Sequence, residues 1–312
     1  MKAYHDIAEK ILAEGQRQAN RTGTDALAIA GMMFEHDMAD GFPLLTTKKI
    51  PFRLVASELE FFVRGITDKE WLRSRGNGIW DEWCSPDAVP YATDAETKAR
   101  MMAEREMGPI YGWQWRRFGA KYVAHDKPPE GASANAGSGG AENAGGAANA
   151  GENAGGGVDQ LAALVEALKK DSGSRRMIVS AWNPADLPRM ALPPCHYAFQ
   201  ATVIGGRLNL LWNQRSVDVA LGLPFNIASY GCLLHLLAKE ASLAEGKLIG
   251  FLGDTHIYVN HIDGIREQMA RPPRPLPKIR TDSFSSIFEW RHTDTVVEGY
   301  DPHPAIKFEI AV

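Results

Sequence analysis

Cysteine is scarce in this chain, which has three, Cys84, Cys195 and Cys232, among 312 residues. None stands in a CxxC or CxxH spacing, so nothing points to a zinc ribbon or a dithiol redox motif, and no metal is indicated. An odd, sparse count fits a reducing compartment. Long apolar runs are missing too. No stretch approaches the ~20 residues that cross a bilayer. The opening MKAYHDIAEKILAEGQ carries charges throughout, without the apolar core of a signal peptide. A cytoplasmic location with no membrane partner is therefore expected. Strong positive charge is absent as well: the formal net charge is −4. DNA is not an expected partner, and an anionic ligand must be held by a local arginine cluster.

Hydrophobic residues make up 45% of the chain and charged ones 23%, enough for a sizeable core in one or two globular units. Residues 2–18 show helical spacing, with Ile7, Ile11 and Leu12 as the apolar stripe. RTGTDALAIAGMMFEHD reads as a turn followed by strands. A second helix runs from about Phe52 to Val63, its stripe formed by Val55, Leu59 and Phe62. Glu58 falls on that stripe. It is either a helix-edge carboxylate reaching solvent or a proton-handling group whose pKa burial raises.

Residues 131–157 contain ten Gly, nine Ala and four Asn, and nothing aliphatic larger than Ala. Such a stretch cannot bury enough apolar surface to offset its ordering entropy. We read it as a flexible surface insertion, and no GxGxxG or GxxxxGK[ST] pattern within it suggests a nucleotide loop. Beyond it, VDQLAALVEALKK is an amphipathic helix. RMIVSAW, HYAFQATVI, RLNLLWNQR and LIGFLGD are strands, and Gly205-Gly206 marks a hairpin between two of them. FNIASYGCLLHLLAKEA is a long, buried helix; NHIDGIREQMA is a further helix, ended by the prolines of RPPRPLP. The expected fold class is α/β of the α+β type, with a largely antiparallel or mixed sheet packed against long buried helices.

Several residues could carry chemistry. Cys195 in PPCHYAFQ follows two prolines and opens a strand, yet for a single cysteine inert packing is the better reading. Cys232, inside the apolar helix, illustrates that reading. In NQRSVD, Arg215 and Ser216 could grip a phosphate, by a fork of N–H groups and a hydroxyl. Arg175-Arg176 and Arg21 are either surface ion-pair formers or parts of one converging phosphate site. Asn226 could cap the long helix or read a base edge, having both donor and acceptor. His256 and Tyr258 could hold a sugar hydroxyl. His256 and His261 are not a zinc motif, because no HExxH glutamate accompanies them.

In combination these segments resemble the folate-dependent thymidylate synthase family. RTGT, FPLLTTKK, SELEFFVRG, IWDEW, GPIYGWQWR, SRRMIVSAWNP, ALPPCH, NQRSVD, LGLPFNIASY, GDTHIY, RPLP and EGYDPHP occur in that order over nearly the whole chain. The resemblance implies a single domain over 1–312, with a variable small-domain insertion at about 84–107 and the Gly/Ala/Asn-rich one at 131–157. It implies a methyltransferase that converts dUMP to dTMP. 5,10-Methylenetetrahydrofolate would supply carbon and hydride, so no nicotinamide, flavin or metal is needed. Cys195 would be the nucleophile, Glu58 an acid/base relay, Tyr111 an aid to C5 deprotonation, and His196 a further active-site residue. Asn226 would read uracil. The dUMP site would also include Arg21, Gln214, Arg215, Ser216, Asp218, His256 and Tyr258, with Arg175 and Arg176 lent by the partner of a homodimer built on the sheet face. Lys48, Ile79, Trp80, Trp83, Leu192, Asp218, Leu221, Gly222, Phe225 and Ala311 would meet the folate, Lys48 at its polyglutamate tail. Trp212, Asn213 and Tyr197 depart from the usual family pattern.

Three rivals stand beside this expectation. A hydroxymethylase of the same fold would quench with water where the synthase uses hydride; Trp80, the closing C-terminus and Asn226 argue for the synthase. Cys195, Glu58, Asn226 and Arg215 together argue against a non-catalytic nucleotide- or RNA-binding relative. A Cys195–His196 hydrolase dyad fails on geometry, since adjacent strand residues face opposite ways.

Overall fold

The computed structural model describes residues 1–20, 23–124 and 156–309. In chain order the elements are α1 (Lys2–Glu14), β1 (Gln16–Gln18), β2 (Ala26–Asp37), α2 (Phe52–Val63), α3 (Glu70–Arg73), α4 (Ala95–Ala103), α5 (Tyr111–Arg117), α6 (Gln160–Lys170), β3 (Ile178–Ser180), β4 (His196–Ile204), β5 (Arg207–Asp218), α7 (Gly222–Glu240), β6 (Ala244–Tyr258), α8 (Ile262–Ala270), β7 (Lys278–Thr281) and β8 (Thr295–Glu298). The chain divides into two compact units. The first holds residues 1–60, 167–179 and 195–312, the second residues 61–166 and 180–194.

A six-stranded mixed sheet, ordered β1-β2-β6-β5-β4-β3, organises the first unit. β5 pairs antiparallel with β4 and parallel with β6, and β2 pairs antiparallel with β6. The hairpin turns at Gly205 and Gly206, both at positive φ (59° and 76°), the conformation a two-residue hairpin loop demands. Alternation gives the sheet two unlike faces. Leu208, Leu210, Trp212 and Gln214 of β5 are buried with Leu248 and Leu252 of β6 and Phe34 of β2. α1 packs on β2 and β6, and α7 on β5 and β6. The alternate residues, Leu211, Asn213 and Arg215, lie on the open face.

Trp212 fits the buried face because its partner across β6 is Gly250. A Cβ at Gly250 would overlap the indole ring. The ring stacks on Tyr230 of α7, with centroids 5.4 Å apart and planes 8° from parallel.

The FPLLTTKK, RPLP and EGYDPHP segments clamp one another. The Tyr300 hydroxyl donates to the Leu45 carbonyl and accepts from the Ile50 N–H, each at 2.8 Å. The Phe42 N–H donates to Pro277 and the His303 N–H to Thr46, both at 2.8 Å. Glu60, 3% exposed, accepts from the backbone N–H of His292 at 2.9 Å and pairs with its Nδ1 at 2.7 Å.

In the second unit Phe62 stacks on Tyr111 at 4.7 Å and meets Trp80 and Trp115 edge-on. Gly112 allows α5 this approach, since a Cβ there would strike the Phe62 backbone. Arg116 holds Asp159 through its Nε and Nη2 groups. Phe118 and Val158 exchange two 2.9 Å backbone bonds.

Several elements differ from the sequence expectation: RMIVSAW is a strand only over Ile178–Ser180, and LIGFLGD is only part of the strand Ala244–Tyr258. The first helix ends at Glu14, not at residue 18, because Gln16–Gln18 pairs with Ala26–Ala28 as an edge strand. Leu12 is only half-buried, and Tyr4 and Ala8 complete the stripe with Ile7 and Ile11. The segment after RTGT forms one strand, Ala26–Asp37, rather than several. The insertion at 131–157 lies outside the described residues except for Gly156 and Gly157. No helix among the described residues is long and apolar enough to cross a membrane.

Candidate active site

The double register of β5 gathers polar residues at one end of the sheet in the first unit. His196 pairs with Gln214, while Ser216 and Asp218 pair with Asp254 and His256. Cys195 precedes β4, and its carbonyl accepts the Arg215 N–H at 2.8 Å, which ties the cysteine backbone to β5. The register shifts between His196 and Ala198, leaving Tyr197 as the extra residue of a bulge, a feature that re-aims neighbouring side chains. Cys195 is half-buried, whereas Cys84 and Cys232 are fully buried. Burial pushes both of those thiols up, away from reactivity.

Asn226 lies inside α7, one turn beyond its first residue Gly222, so the N-cap reading fails. The turn leading into the helix is held by Asp218, whose Oδ1 accepts from the Ala220 and Leu221 N–H groups at 2.8 and 3.1 Å. Asn226 Oδ1 accepts from Gln214 Nε2 at 3.0 Å. Leu221, Gly222 and Phe225 form the half-buried first turn around it.

His196 is sealed. Its Nδ1 lies 2.9 Å from the Tyr230 hydroxyl, and burial lowers its pKa to about 3, so it is neutral at pH 7. The half-buried Glu58 exerts a charge effect on Tyr230, which burial and that carboxylate hold un-ionised. His256 pairs with Asp254 at 2.8 Å, with the Tyr258 ring edge-on at 5.1 Å.

A sequence model of the family described as thymidylate synthase matches residues 2–312. The chain belongs to the thymidylate synthase family. It is accordingly a methyltransferase of thymidylate synthase type.

Against the residues expected for that family, the first unit brings together Cys195, His196, Gln214, Arg215, Ser216, Asp218, Asn226, His256 and Tyr258. Arg175 and Arg176 are exposed and form no ion pair among the described residues. Lys48 turns inward: its amine donates to the Ala220 carbonyl and sits 4.6 Å from the Phe308 ring, and burial lowers its pKa to about 8. In the second unit, Trp80 packs edge-on against Trp83 at 5.9 Å and Tyr111 at 6.0 Å, while Ile79 and Leu192 are half-buried. Arg21 and Ala311 lie outside the described residues.

Sequence reasoning missed Tyr230, the partner of His196. Its one signal is position: Tyr230 follows Asn226 by one helical turn, on the same face of α7.

The buried His196 links stability to pH. Its folded pKa is depressed from 6.5 to about 3. The unfolded chain therefore takes a proton that the folded chain refuses, and stability is lost as pH falls from about 6.5 toward 3. Urea unfolding at pH 7, 5.5 and 4.5 is expected to show a shallower loss in His196→Gln than in the unsubstituted protein. Parallel curves would show that His196 does not titrate in this way.

Proposed function

We propose that the enzyme is a thymidylate synthase proper, converting dUMP to dTMP with Cys195 as nucleophile. The observation that carries this reading is the half-buried Cys195 bonded through its backbone to Arg215, at the sheet end that also holds Asn226. C5 of uracil is a weak nucleophile. Addition of the Cys195 thiolate to C6 makes C5 an enolate carbon able to take a one-carbon unit. Arg215, with Arg21 and Ser216, grips the phosphate and supplies positive charge near the thiol, which favours the thiolate. Asn226 reads the O4 and N3 edge, His256 and Tyr258 hold the ribose, and Glu58 serves O4 through water. Tyr111 assists loss of the C5 proton as the bond from the one-carbon unit to the folate nitrogen breaks, and the Cys195–C6 bond breaks once hydride has reached that carbon.

Bound 5,10-methylenetetrahydrofolate supplies the carbon and the hydride, leaving as dihydrofolate. The residues present fit such a ligand. Half-exposed Ile79, Trp83 and Leu192 offer flat apolar surface, and Trp83 packs on the buried Trp80. Leu221, Gly222, Phe225, Asp218 and Ala311 are the remaining proposed folate contacts. Lys48, 4% exposed with its amine on the Ala220 carbonyl, would serve a polyglutamate tail only by swinging outward.

We further infer a homodimer built on the open sheet face, in which Arg175 and Arg176 complete the partner's phosphate grip. Met33 and Phe251, paired across β2 and β6, are 59% and 44% exposed on that face. They border a depression of about 590 Å³ shared with Tyr197, Asn213 and Arg215. An apolar patch of this kind marks an interaction surface. Sedimentation of Phe251→Asp is expected to show monomer where the unsubstituted chain is dimeric; an unchanged dimer would place the interface elsewhere.

Incubation with dUMP and methylenetetrahydrofolate is expected to yield dTMP and the absorbance of dihydrofolate. Hydroxymethyl-dUMP with tetrahydrofolate would instead identify a hydroxymethylase. Cys195→Ser is expected to abolish turnover while largely retaining dUMP affinity, and retained turnover would remove Cys195 from the nucleophile role.

A further inference from the structure

Trp212 and Gln214 stand two residues apart on β5, so both side chains enter its buried face. The indole Nε1–H donates to Gln214 Oε1 at 3.1 Å. At the other end of the amide, Gln214 Nε2 donates to the Ser216 carbonyl and to Asn226 Oδ1, each at 3.0 Å. An indole N–H can only donate and a carbonyl can only accept. Both neighbours therefore impose the same orientation on the Gln214 amide, and that orientation is handed on. Asn226 must turn Oδ1 toward Gln214, which fixes Nδ2 as its donor end, while the second lone pair of Oδ1 can still accept from an N3–H. Gln214 is 2% exposed, so water cannot replace a lost partner.

Trp212 is also one of the positions at which this chain departs from the usual family pattern. Its place is prepared by the missing side chain at Gly250 and by the parallel stack on Tyr230, whose hydroxyl meets His196. We propose that Trp212 is a specificity-determining positioning residue: through Gln214 it locks Asn226 as a hydrogen-bond donor toward position 4 of the pyrimidine. A ring with a carbonyl there is accepted, and a ring with an amino group meets donor against donor. The proposal rests on the reading of Asn226 as the base reader.

Trp212→Phe keeps an aromatic ring against Tyr230 and removes the donor together with one ring of the indole. Calorimetric titration of the unsubstituted enzyme and the variant with dUMP and with dCMP tests the proposal. The unsubstituted enzyme is expected to prefer dUMP. In Trp212→Phe the ratio of the two dissociation constants is expected to fall by roughly fivefold, the worth of one neutral hydrogen bond. An unchanged ratio, or equal weakening of both nucleotides, overturns the proposal and leaves Trp212 as packing alone. No preference in the unsubstituted enzyme overturns the base-reader reading itself, and the proposal with it.

A second measurement needs no variant. In 15N-tryptophan-labelled enzyme the Trp212 indole proton is expected to exchange slowly and to shift on adding dUMP but not inorganic phosphate. A fast-exchanging proton, or one indifferent to dUMP, overturns the proposal even if Trp212→Phe does not fold.

Discussion

Strand β5 is paired on both sides, antiparallel to β4 and parallel to β6, and the candidate site depends on that double register. Side chains alternate along a strand, so a slip of one residue would move every one of them to the opposite face. Gln214 would then leave the buried face from which it reaches Asn226, and Arg215 would enter it. The Arg215 N–H bond to the Cys195 carbonyl would be lost in the same step. The apolar series Leu208, Leu210 and Trp212, all fully buried, is what pins the register. Packing energy on one face thereby positions polar groups at the strand end.

Much of this was legible in the sequence. The stripe of Val55, Leu59 and Phe62 delimits α2, the Gly205-Gly206 pair forms its hairpin, and the long apolar segment is α7. These features follow from local periodicity and turn chemistry. β1 was not legible, because Gln16–Gln18 has no apolar pattern of its own and is a strand only through the edge that β2 offers. Glu58 was singled out on α2, yet the deeply buried carboxylate of that helix is Glu60. Its partner His292 is 232 residues away, a separation that no local pattern encodes.

The site shows the same division. Cys195, Arg215 and Asn226 could be named from motifs, but the bonds that orient them depend on tertiary contact. Lys48 is the sharpest case. The family resemblance put Lys48 at the polyglutamate tail of the folate, whereas its amine points inward to the Ala220 carbonyl. Trp212 appeared only as a departure from a pattern. Its fit over Gly250 becomes visible when β5 and β6 are laid in register.

These orientations converge on one chemical claim, that the Cys195 thiolate adds to C6 of dUMP. The most direct measurement is the intact and peptide mass of the enzyme after incubation with methylenetetrahydrofolate and a dUMP analogue carrying fluorine at C5. The base has no C5 proton to remove from that analogue, so the covalent complex is held. A mass increase of one nucleotide plus the folate is expected, located on the peptide containing Cys195. An unmodified Cys195 peptide, or an adduct on Cys84 or Cys232, would contradict it.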